Sequence, residues 1–324
     1  MNLRPTALEL AQSHALVRAA TLRLLALAVP THEPPQLQRG FWLGVAVLAA
    51  ALGGLGLILW IAANWDSLGR SGRFALLQSF VLAMLLGAWS RQPLRAPLGL
   101  MALLGTGALF AYFGQTYQTG ADPWQLFALW AAIALPLCLA VRSDVLWLPW
   151  VVVVMTAISL WMQAHTGHSW RVQPDDLRVH LTGWAIALAL VAALGRTWAR
   201  VTNAGAWSWR MAATLWVCMV TLTALGGLFV RPVAPHYAAG LLLLAAWALW
   251  LCTRRGFEIY GLSAAAFGIN ALALCGIARE LLAQANHDPI GALLLMGLAS
   301  AVLLAATVQI ILRLARRRAA ELTP

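Results

Sequence analysis

Polar residues in this chain come in short clusters, separated by apolar runs about as long as a bilayer is thick. Ten such runs stand out, at 41–63, 73–90, 97–115, 123–141, 145–164, 179–195, 211–230, 237–252, 257–277 and 289–312. A helix needs about 20 apolar residues to cross the hydrocarbon core. None of the runs alternates with period two, which argues against the strands of a β-barrel. Backbone groups in lipid must be satisfied within their own segment, which leaves helices. The pattern predicts an all-α polytopic membrane protein with about ten transmembrane helices.

The first 40 residues read differently. Leu8, Leu16, Ala19, Leu22 and Leu27 recur at roughly helical spacing among Glu9, Gln12, Arg18 and Arg23. This predicts a short cytoplasmic amphipathic helix over 6–28, followed by a connector rich in proline (Pro30, Pro34, Pro35). Charges scattered through a lead of this length do not fit a signal peptide. The helix would lie on the membrane surface or under the bundle, or dock a membrane or cytosolic protein partner. The chain thus divides into 1–40, a four-helix unit at 41–145, six further helices at 146–312 and a basic tail at 313–324.

Composition agrees. The 324 residues are 61% hydrophobic and 10% charged, whereas a soluble domain carries about a quarter of its residues as charges. The formal net charge is +11, and all 22 basic residues are arginine. With the N-terminus inside, sixteen arginines fall on the inner side of the ten spans and six on the outer. Positive-inside bias therefore places both termini in the cytoplasm of a bacterium, with the chain multi-pass in the inner membrane. Six of the eleven acids fall outside, so the whole net charge lies on the inner face. There it sets topology and meets anionic lipid. Nothing in the basic tail resembles a nucleic-acid motif, and the bilayer is the expected partner.

Chemistry-bearing motifs are scarce. Cys138, Cys218, Cys252 and Cys275 sit in apolar runs without ligand spacing, so neither a disulfide framework nor a metal site is expected. HExxH, GxSxG, P-loop and GxGxxG patterns do not occur. No catalytic residue is assigned, and no cofactor is called for. His165 and His168 could ligate a metal with Asp175 or Asp176, but solvated loop histidines are the better reading. Glu258 is expected to pair with Arg254 or Arg255, Glu280 with Arg279, and Asn270 to bond another helix. Trp42, Trp65, Trp124, Trp147, Trp150, Trp170 and Trp207 read as an interfacial belt, and mid-span Trp130 and Trp216 as packing. A Gly-spaced helix followed by Asp-Pro occurs at 99–123 and again at 261–289. The Asp-Pro pairs fit helix starts, Asp as cap and Pro in the first turn.

Polar residues at membrane depth are the default functional candidates. One cluster, Asn64-Trp65-Asp66 with Arg70 and Arg73, ends the first span. A second, Gly114-Gln115-Thr116-Tyr117-Gln118 with Asp122 and Trp124, ends the third. Both map to the outer end, where Asp66 could pair with Arg70 or Arg73. The order Asn64-Trp65-Asp66, Arg73, Gly114-Gln115-x-Tyr117 and Trp130-to-Pro136 resembles the bacterial membrane proteins catalogued as domain of unknown function 2157. The resemblance covers about residues 10–145 and implies a multi-span inner-membrane protein. It implies no activity and supplies no catalytic residues.

Three classes of function fit these observations. The first is transport or binding of a small molecule or lipid through a polar pocket made by Asn64, Trp65, Asp66, Arg73, Gln115, Tyr117, Gln118 and Asp122. The second is a non-catalytic scaffold or accessory subunit of a membrane complex. The third is an intramembrane enzyme acting on a lipid-linked substrate, which needs titratable groups converging in one cleft. The topology is directly checkable. Green fluorescent protein fused after Pro324 should fluoresce, and alkaline phosphatase fused there should be inactive. The opposite pattern would reverse the orientation.

Overall fold

The computed structural model describes the backbone of residues 4–14, 17–27, 35–64, 69–117, 120, 122–253, 256–284 and 289–320. Every described element is helical. In chain order these are α1 (Arg4–Ser13), α2 (Arg18–Leu27), α3 (Pro35–Ala63), α4 (Arg70–Ser90), α5 (Arg95–Tyr117), α6 (Pro123–Val141), α7 (Asp144–His165), α8 (Leu177–Ala193), α9 (Ala199–Thr202), α10 (Ala206–Leu228), α11 (Pro235–Cys252), α12 (Ile259–Gln284) and α13 (Pro289–Ala320). Among the described residues, ten helices are long and apolar enough to cross a membrane. The protein is an all-α polytopic membrane protein, as the spacing of its apolar runs predicts.

Two compact units divide the chain within α3, at Leu52 and Gly53. In the first unit, α1 and α2 pack on each other. The single amphipathic helix expected over 6–28 is two helices here. At the break, the Ser13 hydroxyl donates to the Leu10 carbonyl and the His14 ring nitrogen Nδ1 meets the same oxygen. Side chains that satisfy the last carbonyls in this way offer the backbone an exit from the helix. The new helix opens with the Val17 carbonyl accepting from Ala20 and Thr21. Pro30 and Pro34 of the connector lie outside the described residues, and Pro35 already opens α3.

In the second unit, α7 and α10 are the hub. α7 packs against α5, α6, α8 and α10, and α10 against α7, α8, α11 and α12. Trp147, Val151, Trp184, Ala212, Ala213, Trp216, Val220 and Leu244 form the centre of the buried core. Small residues let the backbones approach, as is usual between membrane helices. A Cβ on Gly240 would sit 2.6 Å from the Ala224 side chain, and one on Gly107 would run into the Trp130 ring.

Trp147 and Trp150 are therefore core residues and not part of an interfacial belt, at 1% and 8% exposed. Sequence position near a span end misleads here because α7 is ringed by other helices. Each indole N–H finds an acceptor on a neighbouring backbone: Trp147 the Thr202 carbonyl at 3.1 Å, Trp150 the Ala131 carbonyl at 2.8 Å. Trp130 and Trp216 do the same with the Leu103 carbonyl at 3.1 Å and the Trp184 carbonyl at 2.9 Å. Trp42, Trp170 and Trp207 are exposed, in keeping with a belt.

Cross-helix contacts define the two ends of this unit. One end gathers Arg142, Asp144, Asn203, Gly205 and Ser208. The Asp144 carboxylate accepts from the Gly205 backbone N–H at 2.7 Å and from the Ser208 hydroxyl. It thus caps the start of α10 from another helix. Arg142 and Asn203 both adopt left-handed backbone at the ends of α6 and α9, and the Asn203 amide donates to the Arg142 carbonyl. Further round, Glu258 pairs with Arg210 at 3.3 Å. The sequence pointed instead to Arg254 and Arg255, which lie outside the described residues. Arg279, expected to pair with Glu280, donates to the Leu228 carbonyl. Asn270 bonds across to Thr307 of α13 at 2.9 Å, as expected of a polar residue between membrane helices.

Removing the Asp144 carboxylate leaves two donors of a helix start unmatched, which costs about 1–3 kcal/mol each when they are buried. Asp144→Ala should lower the thermal midpoint of the detergent-solubilised protein, and Asp144→Asn, which keeps one acceptor oxygen, should lower it less. Midpoints equal to that of the unsubstituted protein would show that the carboxylate does not hold this end.

Candidate functional site: a cationic crevice at the start of α4 and the end of α5

α4 begins without a side-chain cap. Gly69 occupies the cap position, and only the Arg73 N–H returns to its carbonyl, at 3.1 Å. The first turn of α4 therefore keeps backbone N–H groups free of helical partners, and these favour negative charge. On the same turn stand Arg70 and Arg73, three residues apart and so on one face.

The end of α5 packs against this turn. Tyr112, Gln115 and Thr116 lie at i, i+3 and i+4, a single helical face. Tyr112 is buried and its hydroxyl donates to the Arg70 carbonyl at 3.4 Å, fixing the two helices in depth. Aromatic rings continue the contact. Phe74 lies 4.6 Å from Tyr112 and 5.9 Å from Tyr117, and Phe113 lies 4.9 Å from Tyr117. The Arg70 guanidinium sits over the Tyr117 ring at 6.0 Å, within cation–π range. Arg70, Arg73, Tyr112, Gln115 and Thr116 enclose a crevice of about 260 Å³.

The structure thus brings together Arg73 and Gln115, with Tyr117 bordering them, out of the eight residues expected to form the pocket. Asn64 folds back on its own helix, its amide donating to the Trp60 carbonyl at 2.9 Å. Trp65, Asp66 and Gln118 lie outside the described residues, and so does the expected pairing of Asp66 with Arg70 or Arg73. Asp122 is not among the crevice residues. It also makes no side-chain cap to α6, contrary to the reading of Asp-Pro as a cap. Its carboxylate instead meets His168 Nε2 at 3.0 Å. The turn that presents His168 has two successive left-handed residues, Gly167 and His168, at φ 65° and 57°. Histidine accepts this backbone more readily than bulkier residues do. His165 turns back to the Trp161 carbonyl. Among the described residues, no group of three or more His, Cys, Asp or Glu is placed to hold a metal.

Sequence reasoning missed Tyr112, although helical spacing from Gln115 points to it, and it placed Thr116 in the polar cluster without assigning it to the pocket. It also missed a pair that no spacing reveals. His180, in the first turn of α8, and His236, in the first turn of α11, are buried against each other, at 8% and 0% exposed. His236 Nε2 lies 3.2 Å from His180 Nδ1, with the rings nearly perpendicular at 83°. His180 Nδ1 is also 3.0 Å from the Asp176 backbone carbonyl. A carbonyl only accepts, so a proton on His180 Nδ1 serves both neighbours, with His236 accepting. The pair ties α8 to α11 at the end of the unit that also carries the start of each helix.

The class is settled at this point: a polytopic helical membrane protein with a cationic, aromatic-walled crevice at one end. Residues 9–147 match the family model described as Predicted membrane protein (DUF2157). The match takes in the whole crevice and stops just inside α7, leaving α8 to α13 beyond it. No curated protein and no solved structure matches the chain.

The histidine pair generates its own expectation. His236→Ala should destabilise the protein by about 2–4 kcal/mol, from a lost bond and a cavity. His180→Ala should do likewise. The double variant should lose clearly less than the sum, because each single change already breaks the shared bond. Additive losses in midpoint would mean that the two rings do not interact.

Proposed function

We propose that the protein binds a small anionic molecule, or the anionic headgroup of a lipid, in the crevice between α4 and α5. The observation that carries this reading is the convergence of two guanidinium groups, an amide and a hydroxyl at the start of a helix whose cap residue is a glycine. Arginine offers a fork of donors that suits carboxylate and phosphate oxygens. The N–H groups at the start of α4 add to the same field. Gln115 and Thr116 supply neutral donors, and the ring of Tyr117 under Arg70 holds that guanidinium without neutralising it.

In the orientation given by the arginine distribution, the crevice opens on the outer face of a bacterial cytoplasmic membrane, with both termini in the cytoplasm. A ligand would reach it from the outer leaflet or the outer aqueous phase. Binding of this kind serves a transporter, a lipid-handling protein or a ligand-sensing subunit equally well. The titratable groups that a lipid-modifying enzyme needs are not gathered among the crevice residues, which favours binding over catalysis.

Calorimetric titration of the purified protein with inorganic phosphate and with dihexanoyl phosphatidylglycerol tests the proposal. At least one should bind. Arg73→Gln with Gln115→Ala should weaken that binding tenfold or more, about 1.4 kcal/mol. Binding unaffected by the double substitution, or no binding of either probe, would sink the reading.

A further inference from the structure

A second concavity lies away from the crevice. α6 and α7 run antiparallel, and each turns one face to a shared groove of about 420 Å³. On α6 the groove residues are Trp124, Ala128, Ala131, Ala132 and Leu135. They follow the i, i+4, i+7, i+8, i+11 pattern of one helix face. α7 contributes the same pattern from Trp150 to Trp161, and Ile186 of α8 forms the remaining wall. Small side chains on α6 create the space. Ala131, Trp150, Ala157 and Ile158 are buried and make the floor, while Ala132 and Ile186 are exposed and make the rim.

The groove has the dimensions of one leaflet. From Trp124 to Leu135 is eleven residues, or about 17 Å at 1.5 Å per residue. Half of a typical hydrocarbon core is about 15 Å. Trp124 belongs to the first turn of α6, so one end of the groove lies at the membrane surface and the other near mid-depth. No charged side chain lines it, and its surface is nearly all apolar. Within the floor, the Trp150 N–H is already taken by the Ala131 carbonyl. At the surface end, the Trp124 indole N–H has no acceptor among the described residues. Water gains nothing from a trough without polar partners, and a surface at this depth faces lipid.

We propose that this groove is a binding site for one acyl chain of a membrane glycerolipid, with the chain along the alanines of α6. The site is separate from the α4–α5 crevice and does not depend on it. Recognition is of the chain, so lipids with different headgroups are taken alike. The alanines set capacity, because each methyl replaced by a larger side chain removes space that the chain occupies.

Photocrosslinking tests this in vesicles that contain the full-length protein. The probes are phosphatidylcholine and phosphatidylglycerol that carry a diazirine midway along one acyl chain. Mapped adducts should concentrate on residues 128–135 and 150–158, at least fivefold above the exposed apolar face of α13 around Leu294 and Leu298. Ala132→Leu, a change at the exposed rim that the fold can absorb, should reduce groove adducts several-fold and leave α13 adducts unchanged. Ile186→Ala, which widens the rim, should keep them or raise them. Groove labelling equal to that of α13, or labelling untouched by Ala132→Leu while the variant remains folded, would overturn the proposal. So would a crosslink between two copies of α6 in place of lipid adducts. Phosphate or soluble-lipid binding at the crevice is read separately, so either site can fail without the other.

Discussion

The interaction on which much of the helix packing rests is the bond from a buried indole N–H to a carbonyl of a neighbouring segment, made by four tryptophans. A helical carbonyl spends one lone pair on its own helix and keeps a second. Trp130, Trp147, Trp150 and Trp216 each use such an oxygen on a neighbouring segment. Tyr237 on α11 does so with Leu272 of α12, and Arg318 at the end of α13 with Cys252. Apolar packing alone leaves membrane helices free to slide and rotate, since lipid tails are as apolar as leucine. A donor that reaches one carbonyl fixes both rotation and depth. The result is that such bonds set α6 on α5, α7 on α6, α10 on α8 and α11 on α12.

The two ends of the second unit are finished by different means. At the Asp144 end, side chains close on backbone: Asp144 on the start of α10, Asn203 on the end of α6, Arg318 on the end of α11. Charge there is locked into capping and pairing. At the opposite end the start of α4 lacks a side-chain cap, and two arginines share its first turn. The histidine pair ties α8 to α11 at this second end.

How much was legible beforehand follows from the range of the forces involved. Span positions were readable because hydrophobic length is a local property of the chain, and all ten appear among the described helices. Asn270 was readable as a helix-to-helix contact because a mid-span amide has few alternatives. Trp147 and Trp150 misled, because a residue near a span end is interfacial only if its helix lies at the rim, and α7 does not. Asp122 misled in the same way. Its place before Pro123 suggests a cap, but a histidine 46 residues later competes for the carboxylate and has it.

Sequence by itself determined what the solvent demands: a chain of apolar helices and their number. It also carried the pieces of the crevice, since Arg70 and Arg73, or Tyr112, Gln115 and Thr116, share a face by helical spacing alone. Only the tertiary structure decided which faces meet. That the start of α4 closes against the end of α5, that two histidines 56 residues apart share a proton position, and that three alanines on α6 open a trough one leaflet deep are consequences of helix rotation. Rotation is set by which donor reaches which carbonyl, a long-range choice that local spacing does not encode.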